Sequence, residues 1–302
     1  MRLFVLLAFF SSIYSMQLHG QGCSDAGFCT IDGLKPDVTD STIKTFQNQI
    51  KIGFSLGNAD HGISAYGIYL EYNRVLSSKV GLDLKITALA QNGNNIQSYG
   101  ASDIFITGKY KVSENFKGVL GFKLPLSNSG NTNEGLPLPM DYQSSLGTID
   151  LIVGVGLKLG GVELLGAFQQ PLTQNANQFL SGLYPEDSEL RNFQSTNNYK
   201  RKGDVLLRVS YPIKLGKKIK FTPSLLPIYH LNNDLYTDEL NMERTINGSQ
   251  GLTLNGNLYF DYLVSKKSTL QFNTGNPFIV REVRPDGLTR SYVLTIEYKY
   301  RF

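Results

Sequence analysis

The sequence predicts an all-β protein, a 12-stranded antiparallel up-and-down transmembrane β-barrel. Three observations lead to this fold class. Apolar and polar residues alternate in segment after segment, short and long connections follow each other in turn, and no apolar run reaches the roughly 20 residues that a spanning helix requires. Because only helices and closed barrels satisfy every backbone group in hydrocarbon, a chain of this kind enters a membrane as a barrel.

The alternation has a period of two, which is the period of an extended strand. Leu82, Leu84 and Ile86, for example, alternate with Asp83 and Lys85. Such a strand has one apolar and one polar face. The pattern recurs along the chain, with occasional apolar interruptions on the polar face. The predicted strands are 43–57, 63–76, 79–91, 98–112, 116–126, 144–159, 161–173, 199–214, 218–231, 249–264, 268–278 and 288–302.

The connections between these strands alternate between short and long along the chain. The short ones are 77–78, 113–115, 160, 215–217 and 265–267. The longer, polar ones are 58–62, 92–97, 127–143, 174–198, 232–248 and 279–287. A barrel that spans a membrane collects its short turns at one rim and its long loops at the other, whereas a soluble β-sandwich has no reason to do so.

The N-terminus has the pattern of a signal peptide, residues 1–20. A basic Arg2 precedes an apolar run from Leu3 to Ile13, and a more polar stretch ends near Gly20. We expect export, followed by an N-terminal segment 21–41 and a barrel over 42–302.

The only two cysteines, Cys23 and Cys29, follow the expected cleavage point closely. In an oxidising compartment they most simply form a local disulfide. Lipid modification of Cys23 is the alternative, although Gly20-Gln21-Gly22 lacks the apolar residue that usually stands three positions before a lipidated cysteine.

The last strand carries the most specific signal. Tyr298, Tyr300 and Phe302 lie on one face of a strand that ends the chain. This arrangement resembles the C-terminal insertion signal of bacterial outer-membrane β-barrel proteins. The resemblance implies a location in the outer membrane of a Gram-negative bacterium, contact with outer-membrane lipid, short turns in the periplasm, long extracellular loops, and insertion by the barrel-assembly machinery. We expect a monomer.

Composition limits the functions open to the chain. A formal net charge of +4 over 302 residues, without a basic tract, gives no support to nucleic-acid binding. No cluster of residues has the spacing of a metal site, and no glycine-rich phosphate loop is present, so we expect no cofactor.

Charged and polar residues on the predicted inner face form the candidate lumen lining. Twelve strands enclose a backbone diameter of roughly 23 Å, which leaves a narrow passage after side chains are added. Many of these charges are expected to form cross-strand ion pairs, while a segregated subset could set solute preference. The candidates are Glu71, Asp83, Lys85, Asp103, Lys109, Lys123, Asp150, Asp204, Arg208, His230, Asp261, Glu297 and Lys299.

Two long loops contain apolar residues that suggest a gate at the mouth. Ala176, Phe179, Leu180 and Leu183 recur at helical spacing, which predicts a short amphipathic helical turn. Such residues either receive an apolar ligand or pack on each other to close the mouth. The candidate gate residues are Leu136, Leu138, Met140, Phe179, Leu180 and Leu183.

The N-terminal segment has two possible roles. It is either a periplasmic tail or a small plug inside the barrel, as in the fatty-acid and hydrocarbon transporters of the outer membrane. That resemblance is one of architecture, and no residue-level motif of the family is present.

An enzymatic role is disfavoured. Neither His61 nor His230 is followed two residues later by the serine of an outer-membrane phospholipase. An outer-membrane protease needs several carboxylates grouped near a histidine, and the run beside His230 offers only one, Asp234. The sequence therefore predicts a passive channel or transporter for a small solute, including an apolar one. A non-conducting barrel that serves as a structural partner in an outer-membrane assembly is the alternative.

Overall fold

The computed structural model describes residues 30–36, 46–287 and 291–302. Both cysteines and the expected signal peptide lie outside the described residues. Twelve long antiparallel strands build the fold: β1 Asn48–Asn58, β2 Ser64–Val75, β3 Val80–Gly93, β4 Ile96–Lys111, β5 Phe116–Pro125, β6 Asp150–Leu159, β7 Val162–Pro171, β8 Asp204–Ser210 with its continuation Ile213–Leu215, β9 Ile219–His230, β10 Gly251–Leu263, β11 Ser268–Ile279 and β12 Tyr292–Arg301.

The sheet closes on itself as a ring. Each strand pairs with its neighbours in the sequence, and β1 pairs with β12 through a register that sets Ile52 opposite Tyr298. β8 is interrupted at Tyr211 and Pro212, and its second piece continues to pair with β9. Proline has no backbone N–H and commonly interrupts a ladder in this way. The predicted 12-stranded antiparallel barrel is thus confirmed.

The outer face of the barrel is apolar around the ring. Ile52, Ile68 and Leu120 are each more than half exposed, and their neighbours on the same face are similar. A soluble monomer rarely exposes contiguous apolar surface of this extent. Hydrocarbon is the solvent that suits such a surface, since every ladder hydrogen bond is satisfied within the ring.

Three turns at the short-turn rim share one local design. Ser77, Ser113 and Ser265 each accept hydrogen bonds at Oγ from the backbone N–H groups two and three residues later, at 3.1–3.3 Å. A serine at the first turn position does this readily and fixes the reversal of the chain. This chemistry explains why these connections need only four residues.

The connection predicted as a long loop at 92–97 is in fact a two-residue turn, so that prediction was wrong. β3 and β4 run to Gly93 and from Ile96, with Asn94 and Asn95 at φ 50° and 59° between them. Two successive residues with positive φ form the hairpin turn that matches strand twist, and asparagine tolerates this conformation.

The remaining long connections lie over the opposite rim, which we call the mouth. Of the helical turn predicted over 176–183, only the 3-10 turn Ser181–Leu183 forms, and residues 174–180 have no regular secondary structure. Another 3-10 turn covers Glu189–Asn192. Two short ladders, 132–133 with 136–137 and 235–237 with 243–245, also belong to these loops. Among the described residues, no helix has the length and apolar character needed to cross a membrane.

Candidate functional site in the barrel lumen

The candidate lumen residues all lie on the inner face of the ring. Twelve of the thirteen are buried, and Lys109 is partly exposed. The burial arises because alternate residues of every strand point inward, where facing strands and loops cover them. The residues so placed are Glu71, Asp83, Lys85, Asp103, Lys109, Lys123, Asp150, Asp204, Arg208, His230, Asp261, Glu297 and Lys299.

Several of these charges pair across neighbouring strands. Lys51 Nζ lies 3.0 Å from Glu71, and Lys109 Nζ lies 2.9 Å from Asp83. On the other side of β1, Lys299 Nζ lies 3.0 Å from Glu297 of the same strand. Burial makes a lone charge costly, so paired charges brace this half of the wall, which comprises β10–β12, β1–β3 and the short-turn end of β4. We call this half the charged wall.

The other half of the inner face contains an apolar strip. Its buried apolar side chains come from β4 to β9 and form one contact cluster. Charged residues lie on either side of this strip, with Lys123 and Asp150 closer to the mouth and Arg208 closer to the short-turn rim. We call the following set the apolar wall: Phe105, Val119, Ile152, Leu165, Ala167, Leu206, Leu226 and Ile228.

Sequence reasoning missed the apolar wall, although a signal was present. Ile152 and Leu206 stood out only as interruptions of the alternation, and both are fully buried on the inner face. Phe105 and Val119 stood on faces otherwise occupied by polar residues and glycine. An apolar residue at a polar position of a barrel strand therefore indicates the character of the lumen.

Residues 30–36 lie inside the ring against its inner face. Asp32 forms ion pairs with Lys51 and, at 2.9 Å, with Lys109, while Lys35 Nζ lies 3.1 Å from Glu297. Ile31 and Leu34 belong to the same apolar cluster as the apolar wall. This short segment is thus anchored to the charged wall by its charges and to the apolar wall by its apolar side chains.

The mouth is covered by packed loops. Leu138, Tyr142, Phe179, Tyr184 and Phe193 form a buried cluster above the strand ends. Among the predicted gate residues, Leu138, Met140 and Phe179 are buried and Leu180 is partly buried, whereas Leu136 and Leu183 are exposed. The buried ones close the mouth, and the exposed ones lie on its outer surface.

A polar network lies beneath this cover. His230 bridges two carboxylates, with Nδ1 at 2.7 Å from Asp204 and Nε2 at 2.8 Å from Asp234. Arg201 forms an ion pair with Asp204, and Tyr199 donates to Asp234 at 2.8 Å. Burial, followed by the nearby Asp234, raises the pKa of Tyr199 well above its usual value, so its hydroxyl remains a donor.

Burial also shifts the pKa of two groups in the mouth loops, Asp141 and His61. Burial raises the pKa of Asp141 to about 8, and the carboxylate of Asp60 adds to the shift. Burial lowers the pKa of His61, whose ring lies 4.0 Å from that of Phe193. His61 therefore belongs to the loop packing, and His230 has both ring nitrogens engaged by carboxylates.

The C-terminal residues Tyr298, Tyr300 and Phe302 all face outward near the short-turn rim and are exposed. The rings of Tyr300 and Phe302 are stacked, with centroids 6.1 Å apart. Aromatic side chains in this position suit the boundary between hydrocarbon and head groups.

No protein-family model matches this sequence, and neither does any curated protein. Similar solved structures include the translocator domain of the autotransporter NalP from Neisseria meningitidis, at 9% identity and a TM-score of 0.48, with 90% of this chain and 91% of that one covered. The CymD monoaromatic hydrocarbon channel has 9% identity and a TM-score of 0.46, covering 95% and 99%. The NanC porin has 10% identity and a TM-score of 0.45, covering 84% and 98%. Likenesses this distant leave the solute of this barrel undefined.

Ring closure, the apolar outer face and the two unlike rims define the class of this protein. It is a membrane-spanning β-barrel protein. In barrels of the outer membrane the short-turn rim faces the periplasm and the long loops face the outside of the cell.

Proposed function

We propose that this barrel is a passive channel or transporter for a small solute whose surface is mainly apolar. One observation carries the proposal. The apolar wall connects the loops of the mouth to the N-terminal segment, because Met140 and Tyr199 of the loops and Leu34 of the segment belong to the same cluster. An apolar solute would therefore meet apolar side chains between the mouth and the N-terminal segment.

The charged wall supports the same solute class by a different argument. A polar solute that crossed the lumen along that wall would have to compete with ion pairs such as Lys51–Glu71, which are buried on both sides. Breaking a buried pair leaves an uncompensated charge and is costly. A solute that moves along the apolar wall leaves these pairs intact.

Passage requires movement at both ends. The packed loops around Phe179 close the mouth, and residues 30–36 narrow the lumen at the periplasmic side. The loop cover and the N-terminal segment are thus the two candidate gates. We propose that the segment acts as a plug and that the loop cover admits the solute.

The test is the flux of a small aromatic hydrocarbon into vesicles that contain the purified protein. Leu165→Gln and Leu226→Gln place amides in the apolar wall and should reduce this flux severalfold. Thr269→Gln, a change at a buried polar position on the inner face of β11, is the matched control and should leave it unchanged. Equal flux in all variants would contradict the apolar path.

Deletion of residues 176–184 tests the loop gate. If these residues control access, the deletion changes the uptake of apolar solutes while the barrel still folds. Unchanged uptake would restrict the loop to a packing role.

A second function, a non-conducting barrel in a larger assembly, is favoured by the packed loops at the mouth and by residues 30–36 within the lumen. It predicts no hydrocarbon flux above that of empty vesicles for any variant. The flux of the full mature chain therefore separates the two functions.

A further inference from the structure

Two neighbouring periplasmic turns carry a concentration of exposed lysines, which we call the lysine patch. It consists of Lys217 and Lys218 of the β8–β9 connection and Lys266 and Lys267 of the β10–β11 turn, all exposed. The two turns lie side by side because β9 pairs with β10, and the Leu263 N–H donates to the Lys218 carbonyl at 2.7 Å.

Local structure holds these lysines at the rim. Ser265 Oγ accepts from the backbone N–H groups of Lys267 and Ser268, at 3.2 and 3.1 Å, which fixes the second turn. Gly216 has a φ of 70°, a conformation that glycine adopts without strain, and it reverses the chain just before Lys217. Tight turns of this kind place long side chains at the rim, where Lys267 Nζ lies 5.6 Å from the centroid of the Phe46 ring.

The height of the patch in the membrane follows from the aromatic residues next to it. Tyr211, Tyr262 and Tyr298 point outward at the periplasmic ends of their strands and are exposed. Tyrosine in that position marks the level of the head groups. The patch lies one to five residues beyond Tyr262 along the paired strands β9 and β10, so its ammonium groups reach the phosphates of the inner leaflet of the outer membrane.

The two turns contain no acidic residue of their own. Neither 211–220 nor 263–268 contains aspartate or glutamate. Two other short turns differ, since Lys111 lies 2.7 Å from Glu114 and Lys158 lies 3.5 Å from Glu163. These two adjacent turns therefore carry a net positive charge in their own sequence.

We propose that the lysine patch binds the head groups of anionic phospholipids, such as phosphatidylglycerol, in the periplasmic leaflet. Ammonium groups attract the phosphates, and the tyrosines above them pack on the glycerol and upper acyl region. Each lysine near an anionic surface contributes about a fivefold preference, so four of them produce a marked selectivity even when their effects are not additive. The binding would fix the depth and tilt of the barrel on this side.

The test compares the association of spin-labelled phosphatidylglycerol and phosphatidylcholine with the reconstituted protein by electron spin resonance. The wild type should prefer phosphatidylglycerol severalfold at low salt, and the preference should shrink as salt is added. The variant K217Q/K218Q/K266Q/K267Q should lose most of this preference. The charge-preserving variant K217R/K218R/K266R/K267R should retain it.

A control variant, K200Q/K202Q, removes lysines from the loops of the mouth and should behave as the wild type. If the fourfold glutamine variant does not fold, the pair K217Q/K266Q gives the same comparison with a smaller expected loss. An unchanged phosphatidylglycerol preference in the glutamine variants, or no preference in the wild type, would overturn the proposal and favour an acidic periplasmic protein as the occupant of the patch.

Discussion

The buried ion pair between Lys123 and Asp150 gives a prediction with a calculable magnitude. Both side chains are fully buried and their charged atoms lie 3.0 Å apart. Removing one partner from a buried pair costs about 3–5 kcal/mol, because the other charge stays uncompensated. Asp150 also accepts hydrogen bonds from Thr148 and Gln169, which would still solvate it. For Lys123→Met we therefore expect a loss near the lower end, about 3 kcal/mol of unfolding free energy.

The double variant K123M/D150L is the matched control. Replacing both charges by apolar groups of similar size is often neutral or stabilising, so its stability should lie within about 1 kcal/mol of the wild type. The assay is reversible urea unfolding in phospholipid vesicles, followed by far-ultraviolet circular dichroism. If the double variant is at least as destabilised as the sum of the single variants, the pair is not coupled and the reasoning fails.

Four further predictions concern the plug, a turn, the mouth and the C-terminus. Asp32→Asn removes the charge that pairs with Lys109. The channel should therefore open more often in planar-bilayer recordings, and an opening frequency equal to that of the wild type would argue against a plug role for the N-terminal segment. Asn95→Ala should lower the unfolding free energy by about 1 kcal/mol, because alanine is strained at positive φ. Asn95→Gly should leave the unfolding free energy unchanged, because glycine adopts this conformation without strain, and urea unfolding measures both. The folded-state pKa of Asp141, about 8, lies above its ordinary value of 3.8, so the contribution of Asp141 to stability is greatest at low pH and is lost as the pH rises between these two values. Urea midpoints measured from about pH 4 to about pH 9 should therefore fall less in Asp141→Asn than in the wild type. Deleting Phe302 should slow assembly into the outer membrane, measured as the rate at which the protein becomes resistant to heat-induced unfolding in detergent, and an unchanged rate would argue against an insertion signal.

The strands could be predicted from the sequence because their signal is local. A period of two over Leu82–Ile86 depends only on the pleat of the strand and on the different environments of its two faces, one apolar and one polar. Serine turns such as the one at Ser77 are equally local, since the side chain bonds to backbone groups two and three residues away. The strand number and the parity of the connections followed from these two signals together.

The loops of the mouth could not be predicted in the same way. Phe179, Leu180 and Leu183 have helical spacing, yet Phe179 lies in an irregular segment and packs against Tyr184, with ring centroids 5.3 Å apart. Contacts with other loops decide this conformation, and tertiary packing overrides a short periodic pattern. The early starts predicted for β6 and β8 have the same cause, because residues 144–149 and 199–203 pack over the mouth instead of joining the ring.

The interior of the lumen was predictable only in part. Polar alternation placed charges such as Glu71 and Asp83 on one face, but their partners depend on the register of neighbouring strands. The position of Asp32 between two lysines depends on how a distant segment enters the ring, and no pattern in 21–41 encodes it.

Single-channel recording in planar bilayers tests the proposed function most directly. The full mature chain should conduct rarely and in small steps, and a chain that lacks residues 22–40 should conduct more often and in larger steps. A barrel that stays silent with and without those residues would contradict the proposal that solute passes through its lumen.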